Sequence, residues 1–383
     1  MREVAVVGIG STPTGELWDQ GLRDLAADAA RAALQDAGLE TVDALYVANA
    51  FGASISTQSH LAPLIADYAG LRGIEAIGIE AADASGGAAL RTGYLAVASG
   101  LVETVMVLGV EKSTDMIGAA RVRARAVSLD SDDEALHGAT LSALAALLMR
   151  RYMYEYELEL SAFEGFSINA HANGAKFAGA MYRNILKPGS FARAPMIADP
   201  VSLFDGAPDA DGAAAVILTS HARAADLVPQ PVRLVGSGAA TDSLALAERD
   251  DPLWLGAIER STAAALAMAG ITRDQIDLFE LHDSFTIMAA LALEAAGFAE
   301  RGEGWKLATD ASIGLTGDLP IATFGGLKSR GNPVGATGLY QAVEAVMQLR
   351  GTAGANQVAQ AQIALIQSVG GVGSSAFTHV LAL

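Results

Sequence analysis

Gly325-Gly326-Leu327-Lys328-Ser329-Arg330-Gly331-Asn332-Pro333-Val334-Gly335-Ala336-Thr337-Gly338 runs directly into an apolar-periodic stretch that begins near Leu339. Five glycines in fourteen residues, with Pro333 fixing one φ angle among them, describe a backbone that turns tightly and packs closely against a neighbour before a helix starts. A loop of this kind presents groups. Upstream, a β-branched run at residues 4–9 and strand-like runs at 44–47, 75–79 and 104–109 alternate with helical patterns at 22–36, 61–68 and 85–98. Strands alternating with helices at this spacing predict parallel α/β layers.

Residues 116–200 break the rhythm with charged and aromatic segments, including helical runs at 140–156 and 162–178, and read as a cap inserted over one half. A strand at 213–218 closes that half. Val228-Pro229-Gln230-Pro231 reads as a linker, because two prolines in three residues stop a helix. Strands at 233–236, 278–281, 363–368 and 375–381 and helices at 254–268, 285–296 and 339–349 then repeat the first half in outline. The chain is therefore read as a first half over 1–223, with its cap at about 116–200, and a second over 232–383, related by internal duplication.

Length and composition bound the function. A chain of 383 residues that is 51% hydrophobic has large cores to fill. Its net charge of −18 argues against nucleic acid or an anionic membrane as a partner. An anionic ligand would need a local cluster of cations, for which Arg121, Arg123, Arg125 and Arg183 are candidates. The chain has no cysteine, which removes disulfides, thiolate metal sites and every thiol mechanism. No metal site is expected. The N-terminus carries no basic, apolar leader and no apolar run reaches membrane-spanning length, so the cytoplasm is the expected location.

The opening stretch resembles the GG-x-x-x-x-GHP-x-GATG signature of the thiolase superfamily, with Asn332 where that signature carries His. Ile79-Glu80-Ala81-Ala82-Asp83-Ala84-Ser85-Gly86-Gly87-Ala88-Ala89 resembles the segment E-x-x-C-A-S-G-x-x-A, with Asp83 at the position of the nucleophilic cysteine. A helix N-terminus suits a carboxylate as well as a thiolate, so Asp83 is either a site residue or an N-cap for the helix opening at Ser85. Phe279-Glu280-Leu281-His282-Asp283-Ser284-Phe285-Thr286 resembles the H-D-C-F segment of the sterol-carrier-protein-type and archaeal acetyl-CoA acetyltransferase-like branch, with His282 kept and Ser284 replacing the cysteine. Residues 205–215 resemble the structural D-x-x-P-x-x-D-G-A-A-A segment, and residues 367–375 the C-terminal glycine segment.

The resemblance covers essentially the whole chain and implies a five-layered α-β-α-β-α fold of two similar halves. It also implies a site made from Asp83, His282, Asn332 and Ser284, with Gly326, Gly370 and Gly371 shaping the place of the thioester. No bound cofactor is expected; a coenzyme A thioester is the substrate. Pairing of first-half edge strands implies a homodimer, consistent with the apolar run at 76–79. The cysteine-lacking thiolase-like aldolases of steroid side-chain degradation further suggest a small OB-fold partner. Without a thiolate, the expected chemistry is carbon–carbon bond cleavage or formation on one acyl-CoA, such as retro-aldol cleavage of a 3-hydroxyacyl-CoA. Two alternatives stay open: a degenerate subunit that scaffolds or channels in an acyl-CoA complex, and an acetyl-CoA acetyltransferase by an unusual route.

Overall fold

The computed structural model describes residues 1–310 and 312–383. In chain order the first half holds β1 (Val4–Ser11), α1 (Leu22–Ala37), β2 (Ala44–Ala48), α2 (Leu61–Tyr68), β3 (Glu75–Ile79), α3 (Ser85–Ser99) and β4 (Thr104–Glu111). The long excursion that follows carries α4 (Gly118–Arg125), α5 (Leu141–Glu155), α6 (Glu164–Gly174) and a small hairpin of β5 (Met196–Ala198) and β6 (Val201–Ser202). The chain then returns as β7 (Gly212–Ser220) and α7 (His221–Leu227). The second half is β8 (Val232–Thr241), α8 (Gly256–Ala269), β9 (Leu278–Glu280), α9 (Thr286–Ala295), α10 (Lys306–Thr309), α11 (Thr337–Leu349), β10 (Ile363–Gly370) and β11 (Ser375–Ala382).

The strands run β3-β2-β4-β7-β1-β8-β11-β10-β9. The two halves meet at a short β1–β8 pairing, Ala5 with Arg233 and Val6 with Val232. The expectation of parallel layers holds only for β3-β2-β4 and β9-β10; the other neighbours are antiparallel. The reason lies in the connections: β10 and β11 form a hairpin closed by residues 371–374, and β7 returns from the excursion rather than from a single crossover helix.

Three hydrophobic clusters define the layers. α1 and α2 cover the outer face of the first-half strands through Leu25, Ala29, Ala33 and Ile65. α3 and α11 fill the space between the two halves with Leu90, Tyr94, Leu339 and Val343. α8, α9 and the excursion helices close the outer face of the second half, through Ile258, Ile287, Met149 and Phe163. The result is a thiolase-like five-layered α-β-α-β-α fold, in which α3 and α11 are buried between layers and so are rich in small residues.

At the crossing of α3 and α11 only glycine fits. A Cβ on Gly86 would stand 2.8 Å from the Gly338 backbone nitrogen, and one on Gly338 would stand 2.5 Å from that of Gly87. We expect Gly338→Ala to destabilise the fold by about 1–3 kcal/mol, since backbone on both sides has no room to give. Urea unfolding monitored by circular dichroism checks this; an unchanged midpoint would show that the crossing can open.

Candidate functional site

Because α3 and α11 cross near their N-termini, the turns leading into them meet. Residues 82–84 form a 3₁₀ turn before α3 and residues 334–336 form another before α11. Both turns are strained: Ala82 has φ 50° and Val334, a β-branched residue, φ 31°. Asp83 sits in the first turn and Asn332 just ahead of the second. They share a cavity of about 520 Å³.

One wall of that cavity is chemical: Asp83, Arg125, Asp209, Ser284, Lys328, Asn332 and Gly371. The other is apolar and comes mainly from the excursion, with Leu141, Leu186, Ile197, Val201, Leu203 and Phe204, joined by Phe285. His171 from α6 also faces in, its Nδ1–H donating to the Asn184 carbonyl at 3.0 Å, which leaves Nε2 as the lone-pair nitrogen.

Asp83 is not an N-cap, because no side chain caps α3. Its Oδ1 instead accepts from Arg125 Nη2 at 3.2 Å, and its Oδ2 is buried with no protein partner. Burial pushes the Asp83 carboxyl above its usual range against the opposing pull of Arg125. Arg125 cannot fully offset that cost, because its other arm is held by Asp209, which also accepts from Arg121 Nε at 3.0 Å. The Arg125 guanidinium is raised by these carboxylates, with Asp209 the largest favourable contribution after burial opposes it. Arg125–Asp209 is therefore the primary ion pair, and Asp83 is the under-compensated charge.

Asn332 Oδ1 accepts from Val334 N–H at 3.1 Å and meets Thr337 Oγ1 at 2.8 Å. The backbone donor fixes the amide orientation, so the NH₂ is the free end. Ser284 Oγ is buried without a protein partner on the same wall. His282 lies behind the wall, buried, with neither ring nitrogen bonded to protein. Burial, with help from Arg330 and Arg125, pulls it down to about 3, so the ring is neutral and carries one N–H donor.

The three glycines have different placements. Gly371, at φ 57°, lines the cavity beside Asp83. Gly326 and Gly370 do not line it. Gly326, at φ 52°, abuts Asp283, whose carboxylate would lie 2.6 Å from any added Cβ and accepts the Leu327 N–H at 2.7 Å. It holds the loop rather than touching the cavity. Of the four arginines suggested for an anionic ligand, Arg121 and Arg125 are tied to Asp209, while Arg123 and Arg183 are exposed and form no ion pair among the described residues.

Sequence reasoning gave no role to His171, Lys328 or Asp209. Lys328 stood inside the opening glycine stretch and Asp209 inside a segment read as structural, so only their place on one cavity wall reveals them.

A family model for the thiolase N-terminal domain matches residues 4–186, and one for the thiolase C-terminal domain-like region matches residues 238–383. The chain belongs to the thiolase family. It is 41% identical over 382 residues to an acetyl-CoA acetyltransferase of Methanothermobacter thermautotrophicus, covering 99% of each chain. It is 35% identical over 395 residues to an acetyl-CoA acetyltransferase of Methanocaldococcus jannaschii, covering 100% of this chain and 99% of the relative. In fold it is similar to the Ltp2-ChsH2(DUF35) aldolase, with a TM-score of 0.87 at 24% identity over 99% of this chain and 97% of the other. This is a thiolase-like acyl-CoA protein, in a chain without cysteine. Among the described residues no helix is long and apolar enough to cross a membrane, and no cluster of His, Asp and Glu could hold a metal.

The raised Asp83 carboxyl has a consequence for stability. A folded-state value above the unfolded one, near 3.9, means that Asp83 favours folding most below that pH and costs stability as pH rises through its folded value. Asp83→Asn, which does not titrate, should therefore gain thermal stability over the wild type as pH is raised from about 4. Melting curves of the two proteins against pH check this; a variant less stable at neutral pH would show that the Arg125 contact outweighs burial.

Proposed function

We propose that the protein cleaves or forms a carbon–carbon bond in an acyl-CoA without an acyl-enzyme, by retro-aldol chemistry on a 3-hydroxyacyl-CoA or its reverse. The observation that carries this reading is the unpartnered Asp83 Oδ2 in the cavity of a thiolase-family chain that has no cysteine. A carboxylate is a poor nucleophile toward a thioester but a competent base when burial raises its proton affinity. In this mechanism Asp83 takes the 3-hydroxyl proton, the C2–C3 bond breaks, and the carbinol carbon leaves as an aldehyde or ketone. The electron pair becomes the thioester enolate, with its oxygen facing the free amide of Asn332, while the neutral His282 backs that wall from behind. Ser284 is a hydrogen-bond donor beside them, and Gly371 shapes the floor.

The coenzyme A arm has a matching surface. Residues 165–198 contain four cations, Lys176, Arg183, Lys187 and Arg193, and no Asp or Glu, in a chain of net charge −18. All four are exposed, and the same segment lines the cavity through His171, Tyr182, Asn184, Leu186 and Ile197. An acid-free rim of this kind would draw the phosphates to the cavity mouth against the overall field. A small OB-fold partner is part of the proposal, supported by the fold-level likeness to an aldolase determined with a DUF35 protein.

Homodimer formation is proposed through β3, which is the edge strand of its half and exposes Ile77. Sedimentation should give a dimer at micromolar concentration; a monomer would remove that part of the proposal.

The catalytic test is direct. Purified protein incubated with a 3-hydroxyacyl-CoA should release a shorter acyl-CoA and a carbonyl compound, unaffected by iodoacetamide. Asp83→Ala should lower the rate by about two to four orders of magnitude, the usual worth of a positioned general base. Acyl-CoA retention with no turnover of any thioester would favour a scaffolding subunit instead. In addition, Asp83→Cys should take up acyl label from acetyl-CoA without condensing two acetyl units, since Ser284 and Asn332 stand where the family resemblance places Cys and His. Acetoacetyl-CoA formed at ordinary enzyme rates would contradict the roles given to both.

A further inference from the structure

One buried nucleophile on the cavity wall has no part in that mechanism. Lys328 sits in the turn over Gly326–Arg330 and is 2% exposed, yet its side chain lines the cavity. Its Nζ donates to the Asp205 carbonyl, one residue before the cavity-lining Gly206. Asp283 and Asp205 pull on its charge, but no carboxylate lies within ion-pair distance among the described residues. Lys112, the other buried lysine, shows the contrast, with Asp115 at 2.6 Å and Asp211 at 2.7 Å. Lys176, Lys187 and Lys306 are exposed.

We propose that Lys328 is a self-acylation site, whose amine takes the acyl group from a CoA thioester held in the cavity. The amine nitrogen adds to the thioester carbonyl carbon, the carbon–sulfur bond breaks, and CoA leaves as its thiol with the proton that the nitrogen gives up. No co-reactant is needed. The product is an amide, so the event happens once per site and does not turn over.

Two observations support the amine over its neighbours. Burial lowers Lys328 to about 8, which leaves a neutral fraction at physiological pH. Ser284, the hydroxyl on the same wall, has no protein group to take its proton. An acyl-amide at Lys328 would also cancel the charge that the Asp205 and Asp283 region is built around and place the acyl group in the cavity, which makes the modification a covalent brake on the site.

The inference rests on the acyl-CoA reading of this cavity, and the test separates the two. The native protein is incubated with acetyl-CoA, bound ligand is followed by native mass spectrometry, and acyl-lysines are mapped by peptide mass spectrometry. Lys328 should be acylated about tenfold more than exposed Lys176, Lys187 and Lys306, and the preference should vanish in urea. Below about pH 8 the rate should fall about tenfold per pH unit, following the neutral amine. Lys328→Arg should keep bound acetyl-CoA and lose the adduct. Bound acetyl-CoA with Lys328 unmodified, or equal labelling of all lysines, overturns the inference and leaves the proposed function standing. No bound acyl-CoA under any condition overturns both.

Discussion

The contact on which the rest depends is the crossing of α3 and α11 at Gly86 and Gly338, where backbone meets backbone because no Cβ intervenes. Two helices that approach this closely bring their N-termini, and the free N–H groups there, to the same place. Each is entered through a 3₁₀ turn with a positive-φ residue, Ala82 on one side and Val334 on the other. The two halves thus share one cavity: one contributes a carboxylate at Asp83 and the other an amide at Asn332.

Buried carboxylates hold this arrangement in register. Glu111 at the end of β4 accepts from the N–H groups of Ala50, Phe51 and Gly335 at 2.9, 3.1 and 3.1 Å, tying both halves together at the second turn. Asp211 accepts from Leu17 and Thr114 N–H groups and from Lys112, and Asp283 pins the glycine loop through Leu327. Each satisfies backbone donors that would otherwise be buried and unpaired. Asp83 differs from all three. Its Oδ2 has no protein donor, and it shares its single cation with Asp209. That unmatched oxygen, on a residue that lines the cavity, is the feature on which the proposed role of Asp83 rests.

Much of this was legible in the sequence. The periodic segments gave nearly every long element, and the glycine loop and the Asp83 and His282 segments led to the family. Parallel layers were over-read, because strand order and direction depend on the hairpin after β10 and on the return of β7, which period alone does not encode. Helices α4 and α7 went unread, being short, and α4 is also strongly charged. The site was half legible: Asp83, Asn332, Ser284 and Gly371 line one cavity, whereas Gly326 and Gly370 serve the loop and the hairpin, and His282 stands behind the wall. Arg125 was a candidate for the wrong anion, since its partners lie 42 and 84 residues away along the chain. His171 and Lys328 gain meaning only from burial, which no local pattern announces.

The central claim is that this cavity stabilises a thioester enolate without first forming an acyl-enzyme. After carbon–carbon cleavage the enolate must be protonated, and the same path run backwards removes a proton from the α-carbon of the shorter acyl-CoA. Proton NMR of acetyl-CoA with the protein in D₂O measures that step directly. The account predicts steady loss of the methyl signal to deuterium in the wild type, slowed by about two to three orders of magnitude in Asn332→Ala as one enolate donor is removed. A methyl signal that persists unchanged, or exchange that proceeds equally in Asn332→Ala, would contradict it.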